Sequence, residues 1–269
     1  MALIQIDLRM NGYLFGCLLL SFFWLTTLAV LRFTRWREQI PEFWWASLAC
    51  GALGFSEFLF VPEYWDPPSI LKVGRWDLES FVFCFAVGGI AAVLAEFPAV
   101  KGFFVWAAFA VERFLRWTLK TVSKMTGGAF QPSLIQQVPM SRLIPPSQTR
   151  IENMLLVTFF LGMFGTTSQF GLNIIYDSAI VSGATGLFIA WRRPNLRWQV
   201  VGGGITFTII YAVVLTVVAW VYPHFYEHWN LKALSGRWIL GAPAEEYLFA
   251  LTFGMCWAPL YEAWKATST

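Results

Sequence analysis

Seven stretches of about 20 predominantly apolar residues recur along this chain, at residues 13–31, 43–61, 80–97, 154–172, 174–191, 200–221 and 246–264. A helix needs about that length to cross the roughly 30 Å hydrocarbon core of a bilayer. Charge agrees with this reading: 13% of residues are Asp, Glu, Lys or Arg, against roughly 25% in soluble domains. That is too little to cover a water-soluble globule, and it excludes a disordered chain, a disulfide-stapled secreted module and almost any soluble enzyme. The expected fold is all-α, a polytopic membrane helix bundle of about seven transmembrane helices.

The basic residues orient the bundle, because cytoplasmic loops carry an excess of Lys and Arg. Arg32, Arg35 and Arg37 follow the first stretch, Arg192, Arg193 and Arg197 follow the fifth, and seven more occupy the segment between residues 101 and 150. With Lys265 these make 14 of the 19; Arg9, Lys72, Arg75, Lys232 and Arg237 fall on the other side. The expectation is an integral, multi-pass protein of the cell membrane, N-terminus outside and C-terminus cytoplasmic. Residues 102–111 are too short to cross; continued through Arg113, Arg116 and Lys120 opposite Phe114, Leu115 and Leu119, they suit a helix lying in the interface. Residues 121–150 read as a polar loop. The first apolar run lacks a small-residue cleavage site after it and is expected to be retained. Cys17, Cys50, Cys84 and Cys256 lie in apolar stretches without metal-ligand spacing and read as small hydrophobes. No basic run interleaved with aromatics suggests nucleic acid.

Shifting the chain by 166 residues lays Asp77 to Glu96 on Pro243 to Glu262: Glu79 meets Glu245, Phe83 meets Phe249, Gly88 meets Gly254, and Glu96 meets Glu262. Upstream, the segment at 60–67, FVPEYWDP, resembles that at 221–230, VYPHFYEHWN. The organisation predicted is therefore a first three-span repeat in residues 1–100, an interfacial helix and loop in 101–151, a connecting span in 152–173 and a second repeat in 174–269. Equivalent basic loops on one side make the repeats parallel.

Carboxylates at both ends of the third helix of each repeat are about 25 Å apart at 1.5 Å rise per residue, too far to act on one atom. The outer ends, Asp77 with Glu79 and Glu245 with Glu246, are the better joint site because aromatic loops precede them. The plainer alternative is that these acids only complement a helix N-terminus. Against it, the same placement occurs twice among aromatics, and a carboxyl in apolar surroundings can hold a proton near neutral pH. Candidate catalytic residues are Glu245 or Glu246 as proton donor, with Glu79 or Asp77 as partner or acceptor. Tyr64, Trp65, Phe83, Tyr247, Phe249 and Trp229 are candidate substrate walls; the bland reading of each is an interfacial belt aromatic. Glu57, inside the second stretch, joins them as an intramembrane carboxylate. His224 and His228 could share a helix face as metal ligands, but interfacial histidines are the simpler reading and no metal is expected. Gly202 to Gly204 lie within a span, where close helix packing explains them.

The segment APAEEYLF at 242–249, the ESFVF at 79–83, the GGI at 88–90, the RRPNL at 192–196, the APLYE at 258–262 and the PEYW loop resemble the lycopene cyclase domain family of microbial carotenoid pathways. The resemblance covers roughly residues 10–97 and 174–264. It implies a redox-neutral reaction needing no cofactor: an acid protonates the terminal alkene of a polyene, an internal double bond attacks the cation, and a base removes a proton to leave a ring. Its partners would be a lipophilic polyene or other isoprenoid substrate, membrane lipid and enzymes of the carotenoid pathway. The sequence departs from the family pattern at Asp77 and Ser80, where the proline and the second glutamate would stand. A non-catalytic carotenoid or lipid-binding membrane protein, a cyclase-like enzyme acting on another isoprenoid and a small transporter remain alternatives.

Overall fold

The computed structural model describes residues 4–6, 10–95, 102, 113 and 149–265. Apart from residues 102 and 113, the expected interfacial helix at 102–119, together with most of the polar loop at 121–150 and Glu96, lies outside the described residues. The architecture is predominantly helical, and it begins with α1 (Gly12–Phe33), whose first turn is capped by Asn11 accepting a hydrogen bond from the Leu14 amide at 2.9 Å. After α2 (Ile40–Leu53) and α3 (Leu78–Leu94) come α4 (Thr149–Thr167), α5 (Ile174–Arg192), α6 (Arg197–Val221), α7 (Ala244–Trp257) and the short α8 (Leu260–Lys265).

Three stretches, Gly12–Phe33, Ile174–Arg192 and Pro194–Val221, are long and apolar enough to cross a membrane. Their outer faces fit lipid. Leu18, Phe22 and Leu25 of α1 are exposed, as are Val201, Ile205, Ile209 and Val213 of α6, the latter recurring every four residues along one face. No charged residue interrupts α1 before Arg32. A water-facing helix would carry its charges there.

Of the other expected spans, α4 keeps 19 residues, while α2, α3 and α7 form shorter helices. The stretch 43–61 reads as one helix, but α2 stops at Leu53 and the chain tightens into a 3-10 turn, Gly54–Leu59. At Gly54 the backbone passes against the start of α3; a Cβ there would lie 2.8 Å from Phe81 Cα and 2.9 Å from the Ser80 carbonyl oxygen. The final stretch breaks after Trp257, because Pro259 has no amide hydrogen to continue the ladder.

Two small hairpins interrupt the helical pattern outside the expected all-α reading. β2 (Leu71–Val73) pairs with β3 (Trp76–Asp77) and with β1 (Ile4–Ile6); β4 (Trp238–Ile239) pairs with β5 (Ala242–Pro243). Their registers lie 166 residues apart: Lys72 opposes Asp77 as Trp238 opposes Pro243. Each delivers the chain directly into the third helix of its half, α3 or α7.

The same offset recurs in the helix crossings. α3 packs on α2 and α1, α7 on α6 and α5, and α3 also meets α6 and α7. A Cβ on Gly88 would stand 2.2 Å from Cys50 Cβ, and one on Gly254 would stand 2.5 Å from the Gly203 carbonyl oxygen. The glycines at 203 and 254 thus let two backbones meet, the packing role expected of the 202–204 run. Trp257 ties the halves by donating its indole N–H to the Gly88 carbonyl at 3.0 Å.

Candidate functional site

The loops before the two hairpins meet in a short antiparallel bridge, Trp65 opposite Trp229. The Asp66 amide donates to the His228 carbonyl at 2.9 Å, and the Asn230 amide donates to the Tyr64 carbonyl at 2.8 Å. The two indole rings lie 5.3 Å apart. Beneath this bridge a cavity of about 410 Å³ opens between the halves, within the range of about 300 to 1,000 Å³ common for small-molecule sites.

Its wall is mostly apolar and aromatic, with Phe83, Phe249, Phe253, Phe225, Trp65 and Trp229 among the lining side chains. Two carboxyl groups interrupt that wall: Glu246 and Glu57.

Glu246 sits in the first turn of α7, yet it is buried. Its Oε1 accepts from the Tyr64 hydroxyl and, at 2.7 Å, from the Trp229 indole N–H; its Oε2 accepts from the Tyr211 hydroxyl at 2.8 Å. Three donors from three separate elements therefore converge on one carboxylate. Charge-assisted bonds of this kind are stronger than neutral ones. Burial, then the neighbouring Glu246 charge, raises the Tyr64 phenol well above its usual value, so Tyr64 keeps its proton and remains a donor.

Glu245 and Glu79 play a different part. Glu245 Oε1 accepts from the Tyr176 hydroxyl at 2.5 Å and from the Ser235 amide at 2.7 Å. Glu79 accepts from the Ser69 hydroxyl at 2.8 Å and from the Ile70 amide at 2.5 Å. Each carboxylate thus fastens the loop ten residues upstream to its own helix. Neither lines the cavity.

Asp77 caps α3, its Oδ1 accepting from the Ser80 amide at 2.6 Å, and burial raises its carboxyl above the usual value. Its own amide donates to Glu57 Oε2 at 3.1 Å. Ser80, at the place corresponding to Glu246, exchanges a 2.7 Å hydrogen bond with the Tyr13 hydroxyl. Of the residues singled out in the sequence, Glu246, Glu57, Tyr64, Trp65, Phe83, Phe249 and Trp229 line one cavity; Asp77 lies behind Glu57; and Glu79, Glu245 and Tyr247 are outside the lining. His224 and His228 are exposed, and His224 bonds Glu227 at 2.7 Å. Among the described residues no group of three or more His, Cys, Asp or Glu could hold a metal ion.

Sequence reasoning missed Tyr211, Tyr13 and Tyr176. The available signal for Tyr211 was its position, ten residues before the end of a 25-residue apolar helix, too deep for an interfacial belt. A buried tyrosine hydroxyl needs a partner, and Glu246 is that partner.

Residues 173–264 match the family model described as Lycopene cyclase. No curated protein and no solved structure matches the chain. The matched segment carries Glu246, Tyr211 and Trp229; Tyr64 and Glu57 come from outside it.

Proposed function

We propose that this chain is a membrane isoprenoid cyclase of the carotenoid, lycopene type, closing the end group of a polyene without net oxidation or reduction. The observation that carries the reading is a carboxylate, Glu246, held by three donors at the wall of an aromatic cavity in an apolar helix bundle. An acyclic isoprenoid dissolves in lipid, so a site reached from the bilayer suits it. The carbocation formed on protonation needs stabilisation without a nucleophile. Aromatic faces such as Phe83, Phe249, Phe253 and Trp65 supply roughly 0.5 to 2 kcal/mol each towards a cation, and the Glu246 charge adds to them.

In this reading Glu246 faces the developing cation and takes the proton lost when the ring double bond forms. Its cage fixes the carboxylate in advance, so little reorganisation accompanies the step. Tyr64 and Trp229 hold it from the two bridged loops, and Tyr211 holds it from α6. The registers and glycine crossings 166 residues apart support a parallel repeat of three-helix units with the cavity between them. The distribution of basic residues supports an outside N-terminus, with the bridged loops on the outer side of the cell membrane.

The test is expression in cells that accumulate lycopene, followed by pigment analysis. Cyclic pigment is expected from the parent chain, and its loss is expected in Glu246→Gln at equal membrane abundance. Acyclic pigment alone from inserted parent protein would overturn the lycopene reading.

A further inference from the structure

The cavity holds a second carboxyl group whose surroundings differ in kind from those of Glu246. Glu57 is 4% exposed and lines the cavity from the 3-10 turn that Gly54 permits. Asp77, 1% exposed, stands behind it, close enough for its backbone amide to meet the Glu57 carboxyl. Glu57 Oε2 accepts from the Asp77 amide and Asp77 Oδ1 from the Ser80 amide. That leaves Glu57 Oε1 and Asp77 Oδ2, both buried, without a hydrogen-bond partner among the described residues.

Among the described residues, neither Lys nor Arg lines this wall. Two neighbouring carboxyls buried in such a site resist ionising together, because their like charges are not screened by water. One proton held between them would supply the missing donor. Glu246 has the opposite arrangement, with three protein donors directed at its two oxygens.

We propose that Glu57 is the proton donor of the ring closure, and that Asp77 is the positioning residue that shares its proton. This rests on the cyclase reading and completes it, since Glu246 is assigned there as the acceptor. The proton leaves Glu57 for the terminal alkene, whose π pair forms the new C–H bond and leaves a tertiary cation. The π pair of an internal alkene then forms the ring C–C bond. The cation so produced is quenched when an adjacent C–H bond gives its pair to the ring double bond and its proton to Glu246. The substrate's composition is unchanged, and exchange with water returns the proton between turnovers.

Two measurements on the full chain in detergent test this. Infrared difference spectra of the substrate-free protein in H2O and D2O should show a protonated-carboxyl C=O stretch that shifts on deuteration and disappears in both Glu57→Gln and Asp77→Asn. Asparagine keeps the α3 cap, so the second variant guards against a folding defect in the first. With lycopene supplied in D2O, the parent should place one deuterium in each ring. Glu57→Gln should lose ring formation by about 100- to 10,000-fold, the usual contribution of a general acid, and Glu57→Asp should recover part of it. A band unchanged in both variants, or ring formation by Glu57→Gln within tenfold of the parent, overturns the proposal. No cyclic product from the parent defeats the cyclase reading and the donor role together, while the band still decides whether the pair holds a proton.

Discussion

The starts of α3 and α7 lie 166 residues apart and are built alike up to one position. Glu79 and Glu245 fasten the loops before them, and Gly88 and Gly254 admit a neighbouring helix. They diverge at Ser80 and Glu246. The serine leaves room beside it for Glu57 and Asp77, whose carboxyls come from a different turn and a different cap. At the α7 start the carboxylate belongs to the helix itself, and its neighbours are donors. Similar backbones therefore present one carboxyl pair short of donors and one carboxylate supplied with them. The difference is in charge and hydrogen bonding, and it gives the two sides of the cavity different proton chemistry.

The contrast can be sharpened first within α7. Glu246→Gln is expected to lower ring formation by about 100- to 10,000-fold, whereas Glu245→Gln, which alters a loop fastening, should change the rate tenfold at most; initial rates of pigment conversion in isolated membranes compare the two. Making the two starts identical should break the first. Ser80→Glu would bury another acid beside Glu57 and Asp77 with no donor cage, costing about 3 to 5 kcal/mol, seen as a lower thermal midpoint in detergent.

Where the halves agree, equal outcomes are expected. Gly88→Ala and Gly254→Ala should each destabilise by about 1 to 3 kcal/mol through overpacking, measured in the same melting experiment. A neutral result at either would show that its crossing can relax. The smallest effect should come from Ser69→Ala, which removes one hydroxyl donor from Glu79 and should cost about 1 to 2 kcal/mol, with ring formation nearly unchanged.

Much of the helical framework was legible in the amino-acid order, because apolar runs and positional matches record what faces lipid and what packs. Glu79 with Glu245 and Gly88 with Gly254 could be paired by counting alone. The end of α2 could not, since Gly54 sits in an apolar run that reads as continuous helix, and only the nearby backbone of α3 shows why the turn tightens there. Glu57 was visible as an intramembrane acid, but its partner lies 20 residues away across that turn. The roles of neighbouring Glu245 and Glu246 were inseparable in sequence. Successive helical residues project in different directions, so one meets its own loop and the other meets Tyr64, Tyr211 and Trp229.

The bridge between the outer loops joins them through amides and carbonyls at residues 64, 66, 228 and 230. Main-chain groups are common to nearly every amino acid, so the closure itself places little demand on side-chain identity. Asp66 and His228, both exposed, are therefore open to replacement by residues other than proline while the roof stays joined, whereas Asn230 also donates its side-chain amide to the Glu63 carbonyl at 3.1 Å. Selection or engineering can retune what reaches the cavity there while leaving the proton chemistry below intact.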